Sequence, residues 1–153
     1  LLLAARGFEV TGIDIAPAGI AMARAKAGDR PGVGFAVGDI LEELPIDESS
    51  ADFVFDRGCF HSVEASQRVG FAEQVWRLLK PGGWWLSLCG NRDDPGNEGP
   101  PKLTAAQIVE AVEPRFEVHE LRRSRFGSPD PTDQPGHLNW RVLMRRRDTD
   151  QAG

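Results

Sequence analysis

The stretch VTGIDIAPAGIAMARAKA, residues 10–27, constrains the fold more than any other part of the chain. An apolar run with Val10 and Ile13 as anchors leads to an acid, Asp14, and predicts a strand over 9–14. Pro17 suits the first turn of a helix, which Ile20, Ala21, Ala23, Ala25 and Ala27 fill until Gly28 stops it. A strand ending in a carboxylate just before a helix is one half of a nucleotide-binding α/β unit, where that acid can accept hydrogen bonds from ribose hydroxyls.

The same alternation continues. Residues 33–37 read as a strand ended by Gly38-Asp39, 40–44 as a helical turn before Pro45, and 51–56 as a third strand. A helix is expected over 65–80, with Val69, Ala72, Val75, Trp76 and Leu79 facing the sheet and Pro81-Gly82-Gly83 ending it. The near-continuous apolar run 84–89 has the look of a strand covered on both faces. Thr104 caps a helix carrying Ile108, Val109 and Val112 and closed by Pro114; strands 116–121 and 138–144 follow, the last with Trp140, Val142 and Met144 on one face. Residues 90–101 and 127–137 are polar, Pro/Gly-rich loops. Four strand–helix alternations and then two successive strands predict an α/β fold. Its sheet is doubly wound and mostly parallel, with a C-terminal antiparallel pair at one side.

At 153 residues the chain fits one domain, read as 1–147 with a tail at 148–153. A net charge of −5 gives no general attraction to nucleic acid or anionic membrane, and neither is expected as a partner; oligomeric state stays open. The two cysteines, Cys59 and Cys89, show no zinc or disulfide spacing, which points to a reducing cytoplasm. The clusters Arg122-Arg123-Ser124-Arg125 and Arg145-Arg146-Arg147 read as a charged sheet edge, with a phosphate-contacting stripe as the alternative. Trp76, Trp84, Trp85 and Trp140 lie in helix or strand patterns and are expected in the core.

Four stretches in order, VTGIDIAPAGIAMARAKA, VGFAVGDILEELP, ADFVFDRGCFHSV and LLKPGGWWLSLCGN, resemble the class I S-adenosylmethionine-dependent methyltransferases. The segment DRGCFHSV looks most like the thiopurine-methyltransferase-like branch of small-molecule enzymes. The resemblance implies a seven-stranded Rossmann-like sheet whose last strand is antiparallel, S-adenosylmethionine as cofactor, and a small-molecule methyl acceptor. It also implies that LLLAARG, read as the end of a helix capped by Gly7, is what stands here of the first helix. The first strand and its glycine-rich loop are then missing, and six strands of seven are expected.

By the same resemblance, Asp14 with Ile15 holds the ribose. Gly38, Asp39 and Ile40 hold the adenine, with the Asp39 carboxylate on the amino group, the next amide on a ring nitrogen and the Ile40 side chain as an apolar wall. Asp56, Arg57 and Gly58 border the cofactor after the third strand. From the residues themselves, His61 in the loop after that strand is a candidate general base that removes a proton from the attacking nucleophile, and Asp56 is a second catalytic candidate. Bland alternatives stand beside these. Asp14 suits a helix cap at Ala16 or Pro17, Asp39 an N-cap for the turn at Ile40, Arg57 a partner for Asp56, and His61 a partly buried ring bonded to backbone. Phe60 reads as core and Cys59 as a small buried residue.

Methyl transfer demands no nucleophilic side chain or metal, which suits a sequence without a triad or metal cluster. A nicotinamide-dependent oxidoreductase would also place an acid at the end of such a strand. Its short-chain type needs a Tyr-x-x-x-Lys pair, and this chain has no tyrosine. A non-catalytic binding module of the same fold is the remaining alternative.

Overall fold

The computed structural model describes residues 1–96, 99–127 and 136–148. They form two compact units, Leu1–Asp47 and a second from Glu48 onward. The expected tail, apart from Asp148, and most of the expected loop 127–137 lie outside the described residues.

The first unit begins with a short 3₁₀ helix, Ala4–Arg6, closed by Gly7 in a left-handed conformation (φ 88°) whose amide donates to the Ala4 carbonyl. Strand β1 (Val10–Asp14), helix α1 (Pro17–Ala27) and strand β2 (Val33–Val37) follow as the sequence predicts. β1 and β2 pair in parallel, from Val10 opposite Val33 to Asp14 opposite Val37. Ile20 of α1 is buried, and Arg24 donates to the Phe35 carbonyl at 2.8 Å, tying the helix to β2. Residues 40–44 form a turn rather than a helix, with the Glu42 amide on the Asp39 carbonyl at 3.0 Å.

The second unit contains β3 (Ala51–Arg57), α2 (Arg68–Leu78), β4 (Leu79–Gly90), α3 (Ala105–Val112), β5 (Phe116–Arg125) and β6 (Leu138–Arg146). Its sheet has the order β3-β4-β6-β5, with β3 and β4 parallel and β6 antiparallel to both its neighbours. The fold is therefore α/β with the expected antiparallel pair at one side. β4 alternates fully buried residues (Trp85, Ser87, Cys89) with half-buried ones, as a strand paired on both edges should.

Three local expectations shift. The helix expected over 65–80 opens as a 3₁₀ turn, Ala65–Gln67, and ends at Leu78. Pro81 lacks the amide that would extend the helix, and it biases Lys80 toward extended backbone. The strand consequently starts at Leu79, not at Trp84. Ala51 opposes Leu79 and Phe53 opposes Trp84, so Pro81-Gly82-Gly83 sits in a ladder irregularity. The buried stripe of α2 is Arg68, Phe71, Ala72, Val75 and Leu78, whereas Val69 is 55% exposed. α3 keeps its expected cap, with Thr104 and Gln107 forming a reciprocal capping box.

The core centres on Trp85, which is fully buried. Phe60 and Phe116 meet it edge-on at 5.3 Å and Phe71 stacks at 5.8 Å. Phe60 is core, as expected, and Cys59 is exposed rather than buried. The other tryptophans are only partly buried. Trp76 lies under the Arg115 and Arg146 guanidinium groups, Trp84 meets the His119 ring, and Trp140 donates to the Leu103 carbonyl at 2.8 Å. Arg146 thus stacks on Trp76, while Arg122 and Arg141 pair with Glu120 and Arg147 pairs with Glu113. The first basic cluster lies on the edge strand β5 as expected, whereas Arg145-Arg146-Arg147 ends β6, a strand paired on both sides. No described helix is long and apolar enough to cross a membrane.

Trp85→Ala should cost about 3–5 kcal/mol in chemical denaturation, the scale for emptying a buried aromatic site. Phe55→Ala, at a half-exposed position on β3 (50%), should cost far less. Equal losses would show that the aromatic cluster is not the core of this unit.

Candidate functional site

In the first unit two carboxylates stand at neighbouring strand ends. Asp14 closes β1, and the Gly38 amide just after β2 donates to its carbonyl at 3.1 Å. The Asp14 side chain is exposed and Oδ1 accepts the Ala16 amide at 2.8 Å. A Cβ at Gly19 would lie 3.1 Å from Oδ2, so glycine in the first turn of α1 lets the carboxylate lie against the helix start. That is where the helix dipole favours an anion. Asp39 is half-buried and its Oδ1 accepts the Leu41 amide at 2.9 Å. Both acids thus make the turn contacts that the bland readings foresaw, and each does so with a single oxygen. Neither Oδ2 takes a hydrogen bond from the described residues. Ile15 beside Asp14 is 64% exposed and Ile40 beside Asp39 is half-buried, which offers apolar surface next to each acid.

In the second unit a cavity of about 310 Å³ opens among three loops. Arg57, Gly58 and His61 come from the loop after β3, and Gly90, Asp94 and Lys102 from the end of β4 and its following loop. Phe126 and His137 come from the β5–β6 end, and the Arg57 guanidinium lies 5.5 Å from the Phe126 ring centre. Asp56 is not in the cavity wall. It lies beneath the loop, where Oδ1 accepts the Cys59 amide at 2.8 Å and the Phe60 amide at 3.0 Å. Its Oδ2 is buried facing the Ser87 side chain, its partner in the β3–β4 ladder. Burial pushes the Asp56 carboxyl up, against the pull of the Ser87 hydroxyl and those amides. Cys89 is a packing residue: burial pushes its thiol up to about 12.

His61 is 2% exposed and lies across Gly58, whose φ of 92° favours glycine; a Cβ there would come within 3.6 Å of the ring. The Gly90 amide donates to His61 Nδ1 at 2.6 Å. A ring nitrogen that accepts carries no proton, so the neutral ring is protonated at Nε2, which is buried without a protein partner. Burial pushes the ring's pKa down, the nearby Arg68 adds to this, and Asp56 opposes it. His61 accordingly lines the cavity with a ring whose Nε2–H is buried and closed to solvent. With Nδ1 occupied and Nε2 protonated, it has no lone pair for the proton-accepting role considered from sequence.

The sequence reading did not single out Asp94, Lys102 and His137. Asp94 is 8% exposed, and its carboxylate accepts the Leu138 amide at 3.2 Å, the Lys102 ammonium at 3.1 Å and His137 Nδ1 at 2.9 Å. Burial alone would push this carboxyl up; the amide, the ammonium and the imidazole outweigh it and hold it at about 2. No spacing signalled the group, because Asp94 and His137 stand 43 positions apart and meet only through the β4–β6 pairing. Among the described residues, no cluster of three or more His, Cys, Asp or Glu is placed to hold a metal.

The Asp94 pKa is lower folded than unfolded, so the stability it confers is complete above pH about 4 and is lost as pH falls toward 2. Urea unfolding of the wild type should therefore weaken more steeply across that window than unfolding of Asp94→Asn, which cannot titrate. Parallel pH profiles would remove the Asp94 contacts from the folded state.

Residues 1–83 match a family model described as a methyltransferase domain. Over 130 residues, 82% of this chain, the sequence is 28% identical to the 2-heptyl-1-hydroxyquinolin-4(1H)-one methyltransferase of Mycobacteroides abscessus, and it spans 57% of that relative's length. Among solved structures, a SAM-dependent methyltransferase from Methanosarcina mazei superposes with a TM-score of 0.79 at 21% identity, over 95% of this chain and 85% of the other. The 1,6-didemethyltoxoflavin-N1-methyltransferase of Burkholderia thailandensis, solved with 1,6-didemethyltoxoflavin and S-adenosylhomocysteine, superposes with a TM-score of 0.67 at 21% identity, over 92% of this chain and 62% of the other. The fold is shared with both structures, and the family match covers more than half of the sequence: the chain belongs to the methyltransferase domain family.

Proposed function

We propose that the protein transfers a methyl group from S-adenosylmethionine to a small-molecule acceptor. The observation that carries the reading is the pair of strand-end carboxylates, Asp14 and Asp39, each with one oxygen bonded to its own turn and the other unspent. Asp14 Oδ2 is suited to the ribose hydroxyls and Asp39 to the adenine amino group, with Ile15 and Ile40 as apolar surface for the nucleoside and Gly38 joining the two strand ends. S-adenosylmethionine, when bound, supplies a methyl group on a positively charged sulfur, and a neutral thioether leaves. The cavity of the second unit is assigned to the acceptor. Its volume of about 310 Å³ suits a small organic molecule, and Arg57, Gly58 and His61 form one wall. Asp56 serves by holding the turn that carries them. The two-cysteine sequence suits a reducing cytoplasm.

Calorimetry with S-adenosylhomocysteine tests the cofactor half. Asp14→Ala should weaken binding by about 1–3 kcal/mol, the scale of hydrogen bonds to a charged acceptor, and Asp39→Ala should weaken adenosine as well. Affinities unchanged in both variants would remove the two acids from the site. Methyl transfer itself is first sought with 2-heptyl-1-hydroxyquinolin-4(1H)-one, after which the curated relative is named.

A further inference from the structure

His61 and His137 lie in the wall of one cavity, and their surroundings set opposite tautomers. His61 Nδ1 accepts from a backbone amide, so the neutral ring carries its proton at the buried Nε2. His137 Nδ1 lies 2.9 Å from Asp94 Oδ2. A carboxylate held at about 2 is ionised at neutral pH and can only accept. Nδ1 is then the donor, and in the neutral ring His137 Nε2 carries the lone pair.

The backbone that carries the ring and the carboxylate that meets it are both tied down. The Phe126 amide donates to the His137 carbonyl at 3.0 Å, and the adjacent Leu138 amide donates to the same carboxylate that holds the ring. A Cβ at Gly96 would come 3.2 Å from the ring, so the backbone passes close beneath it. Lys102 shares Asp94 Oδ2, which keeps the carboxylate in place while the His137 side chain stays 69% exposed.

We infer that His137, oriented by Asp94, takes the proton from a hydroxyl or N–H acceptor methylated in this cavity. The inference rests on the acceptor assignment above and extends it to a substrate class: a nucleophile that reaches the site still protonated, rather than a carboxylate or thiolate. Nε2 accepts the proton as the acceptor heteroatom forms its bond to the methyl carbon and the carbon–sulfur bond breaks, its electron pair staying on sulfur. The resulting imidazolium is paired with Asp94, and its exposure lets the proton leave to water. The other titratable or charged groups in the wall are Lys102, Arg57 and His61. Lys102 is engaged by Asp94, Arg57 bears no lone pair, and His61 has its proton on Nε2.

The test joins nitrogen-15 NMR of the histidines with methyl transfer to two probes, phenol and thiophenol. Thiophenol is largely ionised at neutral pH and needs no base, whereas phenol, like a tyrosine side chain with a pKa of about 10, does. His137 should show the Nδ1–H tautomer, shifting toward Nε2–H in Asp94→Asn. His137→Gln should slow phenol methylation by about a hundredfold or more, the usual contribution of a positioned base, and leave thiophenol within a few-fold. An Nε2–H tautomer in the wild type overturns the inference, as does a variant that methylates both probes at wild-type rates or loses both equally. Failure of the wild type to methylate either probe overturns the acceptor assignment itself, and the base with it.

Discussion

β4 is hydrogen-bonded along both edges, in parallel to β3 and antiparallel to β6, so its last residue is held by the sheet rather than by the loop that follows. That residue is Gly90. Its amide donates to His61 Nδ1 at 2.6 Å, its carbonyl accepts the Leu103 amide at 2.9 Å, and it stands opposite Asn139 at the start of β6. A side chain there would lie 3.2 Å from the Pro101 carbonyl oxygen. One backbone position thus joins the loop after β3, the loop after β4 and the beginning of β6. These are the three segments that wall the cavity. The geometry of the site is a consequence of sheet register, and the chemistry of His61 follows from which of its nitrogens that register engages.

Two aspartates of the second unit show how surroundings set charge. Asp56 and Asp94 expose the same small fraction of their surface, 8%, but Asp56 lies much deeper in the protein. Asp56 receives two backbone amides on one oxygen with the Ser87 hydroxyl as its other neighbour, and burial outweighs them and pushes its carboxyl up. Asp94 receives an amide, an ammonium and an imidazole, which hold it at about 2. The first acid organises a turn and the second carries a fixed negative charge beside a histidine. Neither role can be read from residue type, because desolvation and hydrogen bonding act in opposite directions and only the folded neighbours decide between them.

The strand–helix alternation, the two strand-end acids and the helix cap at Thr104 were legible because each rests on contacts within a few residues. Periodicity, a proline at a helix start and an acid after an apolar run are local signals. What was not legible depends on long-range pairing. β4 starts at Leu79 because Ala51 pairs with it, and no local pattern announces a strand through Pro81-Gly82-Gly83. Val69 and Phe71 exchange places in the buried stripe because Trp85 and Phe60, both distant in sequence, supply the surface on which α2 packs. The Asp94–His137 pair is joined only by the β4–β6 register, so two unremarkable polar loops concealed it. His61 was visible as a residue but its tautomer was not, since that is set by an amide 29 positions away.

The central claim is that the end of β4 fixes the tautomer of His61 in the cavity wall. Nitrogen-15 long-range NMR of that ring, followed across pH about 5 to 8, tests it most directly, since an unperturbed histidine gains charge in this range. A neutral ring with its proton on Nε2, gaining charge at lower pH than an ordinary histidine, is the predicted result, because the Gly90 amide holds Nδ1 as an acceptor and burial disfavours the charged form. An Nδ1–H tautomer, or a ring that becomes doubly protonated with the ordinary midpoint of a solvent-exposed histidine, would contradict it.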